Sequence, residues 1–221
     1  QWMEVVTKDL KGADFQRRLV WKTNEGFNVN PFYRAEDIQG LLSTDNLPGQ
    51  FPYVRGTKKD NVWYVRQDID VADYAEANKK ALSLLTKGVT SLAFYLPKNN
   101  LSAENLSVLL KDIAPNKVEL NFNTCISKIH ELAKLVTEHI TSQNLNVMEC
   151  FGSIGYDPFR YILKKGVDVA NWAEQAEQMV KITGPLPRYK CISITGNLFN
   201  DAGAYIYQEL GYSLSIRYWG R

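Results

Sequence analysis

From about residue 70 onward the sequence alternates between helical and strand patterning, and this limits the fold more than any other feature. VADYAEANKKALSLLTKG (71–88) carries apolar residues at helical spacing and stops at Gly88. TSLAFYL (90–96) reads as a strand closed by Pro97. Ser102 is placed to cap a helix running to about Asp112, with Glu104 and Asn105 in its first turn. KVELNFN (117–123) alternates as a strand, with Glu119, Asn121 and Asn123 on one face and Val118, Leu120 and Phe122 on the other. A long helix follows from about Ile126 to Ser142, then a strand at LNVMECF (145–151) and a looser helical stretch near Phe159 to Lys165. A helix from Asn171 to Thr183, a strand at YKCISIT (189–195) and a last helix from Asp201 to Leu214 complete the series.

Four strands alternating with helices define an α/β protein whose sheet is parallel and whose crossovers are right-handed. A doubly wound nucleotide-binding sheet would ordinarily carry a glycine-rich turn after an early strand. Here the first strand is followed by PKNNLSAEN, which has no glycine. A complete (β/α)8 barrel takes about 250 residues, whereas the four units occupy roughly 88–215 of a 221-residue chain. The expected fold is part, about half, of a TIM-type barrel with an irregular N-terminal arm. Residues 1–68 form the arm and 69–221 the first four β/α units, in a chain expected to be a piece of a longer protein. A half barrel leaves two sheet edges open, which exposes the isolated chain to self-association.

The arm has little periodicity but many rings, among them Trp2, Phe15, Trp21, Phe27, Phe32, Tyr33, Phe51, Tyr53 and Trp63. It either lies on its own domain or reaches onto another subunit, where aromatic residues are favoured anchors. In the second case Trp2, Trp21, Phe32 and Tyr33 are the candidate contact residues.

Composition removes several classes of function. A formal charge of +2, with no basic run interleaved with aromatics, argues against nucleic acid. No apolar stretch approaches the roughly 20 residues of a membrane helix. QWMEVVTKDLKG has no signal core, so a cytoplasmic protein is expected. Cys125, Cys150 and Cys191 lack C-x-x-C spacing and read as buried reduced thiols. His130 and His139, nine residues apart at about 100° per residue, fall on opposite faces of one helix and cannot share a metal.

PGQFPYVRG (48–56), then WYVRQ (63–67), resembles a segment of the methylmalonyl-CoA mutase family, in which PG-x-FP-x-x-RG leads through a loop to W-x-x-RQ and an active-site tyrosine. KDLKGADFQRRLVWKTNEGFNVNPFYRAEDI (8–38) is similar to the arm of the family's small subunits. ISITGNLFNDAGAYIYQELGYSL (192–214) resembles a barrel segment of S-I-S-G-x-H-x-x-E-A-G-A character. The resemblance implies a barrel that binds an acyl-CoA thioester. It also implies a separate cobalamin domain, and a large subunit that interconverts methylmalonyl-CoA and succinyl-CoA with adenosylcobalamin.

Two departures from the family pattern bear on activity. Asp68 stands where the family has its tyrosine, and Leu198 where it has its catalytic histidine. A carboxylate cannot present an aromatic face, and leucine cannot donate a hydrogen bond to a thioester carbonyl. Arg66 matches a family arginine associated with CoA, and Ser153 fits a hydroxyl position; both read as vestigial substrate contacts. Gly155 stands where a glutamine is expected, and the family's carboxylate-binding arginine falls near Lys165. Glu119 and Asn121 replace smaller hydroxyl residues and would narrow the pantetheine channel. The D-x-H-x-x-G cobalamin signature is absent.

The resemblance thus implies a non-catalytic small subunit with no catalytic residues, no metal and no cofactor of its own. Adenosylcobalamin would sit in the partner, a large catalytic subunit in a heterodimer. The alternatives are an acyl-CoA mutase active in its own right, a CoA-thioester binding module without catalysis, and an α/β protein outside the family.

Overall fold

The structure, a computed structural model, describes residues 1–166 and 171–219, without the side chains of Leu42 and residues 216–219. The chain divides into two compact units, 1–62 and 63–221.

The first unit contains helices α1 (Trp2–Asp9) and α2 (Phe15–Leu19) and a two-stranded antiparallel ribbon of β1 (Trp21–Lys22) and β2 (Asn28–Val29). Asp14 caps α2 by accepting from the Arg17 amide, and Thr23 closes the ribbon through paired bonds with Phe27. Val20 alone is buried among the described side chains of this unit. Near its N-terminus rings gather: Trp2 packs on Phe32 at 3.8 Å between ring centroids and meets Phe15 edge-on at 6.3 Å. The Arg34 guanidinium lies 5.4 Å from the Phe32 centroid.

The second unit runs β3 (Arg66–Asp70), α3 (Tyr74–Leu85), β4 (Ser91–Tyr95), α4 (Ala103–Leu109), β5 (Glu119–Asn123) and α5 (Ile129–Thr141). It continues with β6 (Gly152–Tyr156), α6 (Pro158–Lys165), α7 (Trp172–Thr183), β7 (Tyr189–Ile192), α8 (Asn197–Asp201) and α9 (Ile206–Trp219). The five strands pair in parallel in the sequential order β3-β4-β5-β6-β7. An order that never reverses has no switch point, which is the winding of a barrel rather than of a doubly wound sheet. The sheet is open, and among the described residues β3 and β7 each have a strand on one side only.

One sheet face is apolar. Ile69, Leu92, Phe94, Leu120, Phe122 and Ile154 are at most 1% exposed and join the helices in a single core. α5 supplies Ile129, Leu132, Ala133, Val136 and Ile140, the i, i+3, i+4, i+7 spacing of a helix with one buried side. Asp73 caps α3 through the Glu76 amide and Ser102 caps α4 through the Asn105 amide, as the sequence indicates for the latter. Buried Asn78 of α3 donates to the carbonyls of Leu109 and Lys111, both at 2.8 Å, and so satisfies the C-terminal end of α4 from a neighbouring helix.

Four expectations change. Arg66–Asp70 is a strand, which makes the sheet five-stranded and gives it residues expected in the arm. Its sequence shows only one apolar position, Ile69, because it is an edge strand with charges along one face. The strand expected at 145–151 lies instead at Gly152–Tyr156. Asn146 accepts from the Met148 amide and bonds Glu149, closing a 3-10 turn over Val147–Glu149. The last helix is two helices, divided near Gly203, whose φ of +93° is left-handed. Of the cysteines only Cys150 is buried, Cys125 being exposed, and all three are free.

Gly152 is in the sheet because nothing larger fits. A Cβ there would lie 1.8 Å from the Leu120 carbonyl oxygen and 2.8 Å from Tyr189 Cε1. Gly152→Ala should therefore cost more than about 4 kcal/mol, the range of exceptional substitutions, or abolish folding, as read by urea denaturation. Burial of Tyr156 raises its phenol to about 12 from an ordinary value of 10.0. Between those values the unfolded chain releases a proton that the folded chain keeps, so stability falls as pH rises from about 10 to 12. Tyr156→Phe should make that slope shallower in denaturation curves measured across the window, with Tyr189, whose phenol burial also raises, supplying part of the remainder.

Candidate functional site

The C-terminal ends of the strands enclose a cavity of about 720 Å³. Asp70 and Tyr95 rim it from β3 and β4, Asn123 and Cys125 from β5 and its following loop, and Gly155 and Ser193 from the next two strands. α6 supplies Arg160, Tyr161, Lys164 and Lys165. The three cations carry no ion pair among the described residues. In a parallel β/α sheet this end is where loops and helix starts converge, and where ligands are held.

Asp157 holds the rim together. Its Oδ1 accepts from the Arg160 amide at 2.8 Å, capping α6 ahead of Pro158 at the first helical position. Its Oδ2 accepts from the Thr195 amide at 2.9 Å and the Thr195 hydroxyl at 2.5 Å. One carboxylate thus ties the loop after β6 to the loop after β7. Gly155 is tight as well: a Cβ there would sit 3.1 Å from Ser193 Oγ and 3.2 Å from Asn123 Oδ1.

Below the cavity the polar sheet face is occupied by its own side chains. Ser91 Oγ donates to Glu119 Oε2 at 2.5 Å, and Asn121 Nδ2 donates to Ser91 Oγ and Glu119 Oε2 at 3.1 and 3.3 Å. Ser153 Oγ donates to Asn121 Oδ1 at 2.6 Å. This cross-strand chain spans β4, β5 and β6 and leaves Asn121 only 4% exposed. On β3, Arg66 Nε lies 2.8 Å from Asp68 Oδ1, while the Tyr95 hydroxyl donates to Asp68 Oδ2 at 3.2 Å.

The residues singled out in the sequence are therefore spread over this unit. Arg66 and Asp68 pair with each other, and Ser153 belongs to the cross-strand chain with Glu119 and Asn121. Lys165 lines the cavity, whereas Leu198 lies half-buried in α8 and does not line it. In the first unit Trp21 and Tyr33 are exposed, at 65% and 55%, whereas Trp2 and Phe32 are partly used on each other. Sequence reasoning missed Asp157, Arg160 and Lys164. Their signal was present in DPFRYILKK, an Asp-Pro helix start followed by cations at i+3 and i+7 from the aspartate. Among the described residues no group of three His, Cys, Asp or Glu could hold a metal ion, and no helix is long and apolar enough to cross a membrane.

Sequential parallel strands, helices on one face and a cavity at the strand C-termini define a β/α-barrel-type domain. The methylmalonyl-CoA mutase family model matches residues 22–100 and 100–218, and the chain belongs to that family. It is 46% identical over 220 residues to the methylmalonyl-CoA mutase small subunit of Porphyromonas gingivalis, covering 99% of this chain and 35% of the relative. The small subunit of Propionibacterium freudenreichii subsp. shermanii is 25% identical over 94% of the chain, and the large subunit of Streptomyces virginiae 25% identical over 97%. The chain spans about a third of the length of these relatives.

Asp157→Ala removes a helix cap and both bonds to Thr195, and should cost about 1–3 kcal/mol by chemical denaturation. Asp157→Asn, which keeps an acceptor oxygen, should recover part of that loss.

Proposed function

We propose that this chain belongs to the non-catalytic small subunit of a two-subunit methylmalonyl-CoA mutase, acting in the cytoplasm to support the catalytic large subunit. The adenosylcobalamin-dependent isomerisation of methylmalonyl-CoA and succinyl-CoA takes place in that partner. The observation that carries this reading is Asp68. It stands where the family's tyrosine is expected, and both its oxygens are engaged, one by Arg66 and the other by Tyr95. Leu198, at the position of the family's histidine, adds a second loss. The chain of Ser91, Glu119, Asn121 and Ser153 supports it further, because an acyl-CoA arm crossing this face would have to break bonds already made.

The described residues do not fit adenosylcobalamin as a cofactor held by this chain. A histidine ligand needs a ring nitrogen aimed at the cobalt. Neither His130 (in KIHEL) nor His139 (in TEHIT) stands in a D-x-H-x-x-G signature, and their Nε2 atoms bond within the chain, to the Gln175 carbonyl at 2.9 Å and to Gln143 at 2.8 Å. The chemistry is therefore assigned to the partner, and no step is routed through these residues.

A second reading, a CoA-thioester binding module without catalysis, is favoured by the cavity and its three cations, which carry no ion pair among the described residues. Calorimetry with an acyl-CoA separates the two: the scaffold reading expects no heat of binding on this subunit.

The arm is proposed to hold the large subunit through Trp2, Trp21, Phe32 and Tyr33. Co-expression with the large subunit should give a complex that co-purifies. Turnover should be absent from the small subunit alone and should stay within about twofold when Asp68 is replaced by Ala in the complex. Failure to form a complex, or turnover by the small subunit alone, overturns the proposal. Trp21→Ala should weaken the complex by about 1–3 kcal/mol in a titration, because an exposed ring with few internal contacts is free to anchor a partner.

A further inference from the structure

Arg66, Asp68 and Tyr95 form a donor–acceptor set with an unusual property: the acceptor and one of its two donors come from the same short strand. Arg66 and Asp68 are two residues apart on β3 and therefore share a face, while Tyr95 of β4 lies across from Asp70, one side-chain step further along. Arg66 donates through Nε to Oδ1 and Tyr95 through its hydroxyl to Oδ2. A cation and a neutral donor on separate oxygens is how a protein recognises a free carboxylate. The Arg66 side chain reaches along the strand to Asp68, two residues on. Among the described residues the guanidinium has no other ion pair.

We propose that Arg66 and Tyr95 form a binding site for a small carboxylate and that the chain keeps it filled with the side chain of Asp68. Asp68 is then an internal ligand, and the site is closed to external anions for as long as it is in place. The inference depends only on the geometry of the second unit and holds whether or not the chain serves a partner. Asp68 and Arg66 are 52% and 44% exposed, so a solute can reach the position once the carboxylate is removed. Partial solvent screening keeps the expected affinity in the millimolar range.

The test uses the full polypeptide that carries this chain, with ¹³C-labelled acetate titrated at constant ionic strength. Binding is read from acetate line broadening and from the shift in thermal unfolding midpoint. Asp68→Ala should bind acetate about tenfold more tightly than the unmodified protein and gain thermal stability from it. Adding Arg66→Ala should remove that binding, and adding Tyr95→Phe should weaken it several-fold. Equal acetate binding by the unmodified protein and Asp68→Ala overturns the proposal, as does undiminished binding when Arg66 is also replaced. Should Asp68→Ala fail to fold, Asp68→Ser keeps a polar residue on the strand while withdrawing the carboxylate from Arg66 and Tyr95. It must then show the same dependence on Arg66, or the proposal fails.

Discussion

Parallel, in-register pairing of β4 with β5 is the constraint on which the second unit depends. Ser91 faces Glu119, Leu92 faces Leu120, Ala93 faces Asn121 and Phe94 faces Phe122. That register sorts every side chain of the sheet's middle onto one of two faces. Leu92, Phe94, Leu120 and Phe122 bury completely under the helices, each contributing roughly 1.5–3 kcal/mol. Ser91, Glu119 and Asn121 meet on the opposite face and satisfy one another. A slip of one residue would place carboxamide and carboxylate under α5 and rings on the polar side, so the register is held from both faces.

The same two-sidedness separates structure from function. The apolar face is ordinary packing and would suit any β/α sheet. On the polar face the groups are turned toward each other. Asp68 engages Arg66, and Glu119 and Asn121 engage the serines on either side. In the proposed role of a supporting subunit, that face no longer receives a ligand, and its bonds contribute to stability instead. In the same proposal the aromatic first unit, which buries only Val20 among its described side chains, is the surface that meets the partner.

Where local periodicity decided the structure, it could be read from the sequence. β4, β5 and α5 were clear because their alternation or 3.6-residue spacing matches what they bury. β6 was hidden because GSIGY has little strand character by composition; Gly152 answers to the backbone of Leu120 and the ring of Tyr189, and Gly155 to Ser193 and Asn123, which no local window contains. β3 was hidden for the opposite reason, since an edge strand with one buried residue has no apolar pattern to show. The polar face of Glu119 and Asn121 was legible as a face, but not as a bonded chain. The bonds of Asp68 to Tyr95 and of Asp157 to Thr195 span 27 and 38 positions. Their existence follows from strand register and rim geometry rather than from any motif.

The grip of Asp157 on Thr195 also bears on how such a domain can change over time. Among the residues that line the cavity, Val71, Leu96, Ile129 and Tyr156 are buried, and Asp157 belongs to the frame that joins the loops after β6 and β7. Arg160, Lys164 and Lys165 line the cavity and carry no ion pair among the described residues. A lineage can therefore exchange the lining residues, and with them the charge and selectivity of the cavity, while inheriting its shape intact. The division of labour gives the fold room to lose one chemistry, or acquire another, without first having to refold.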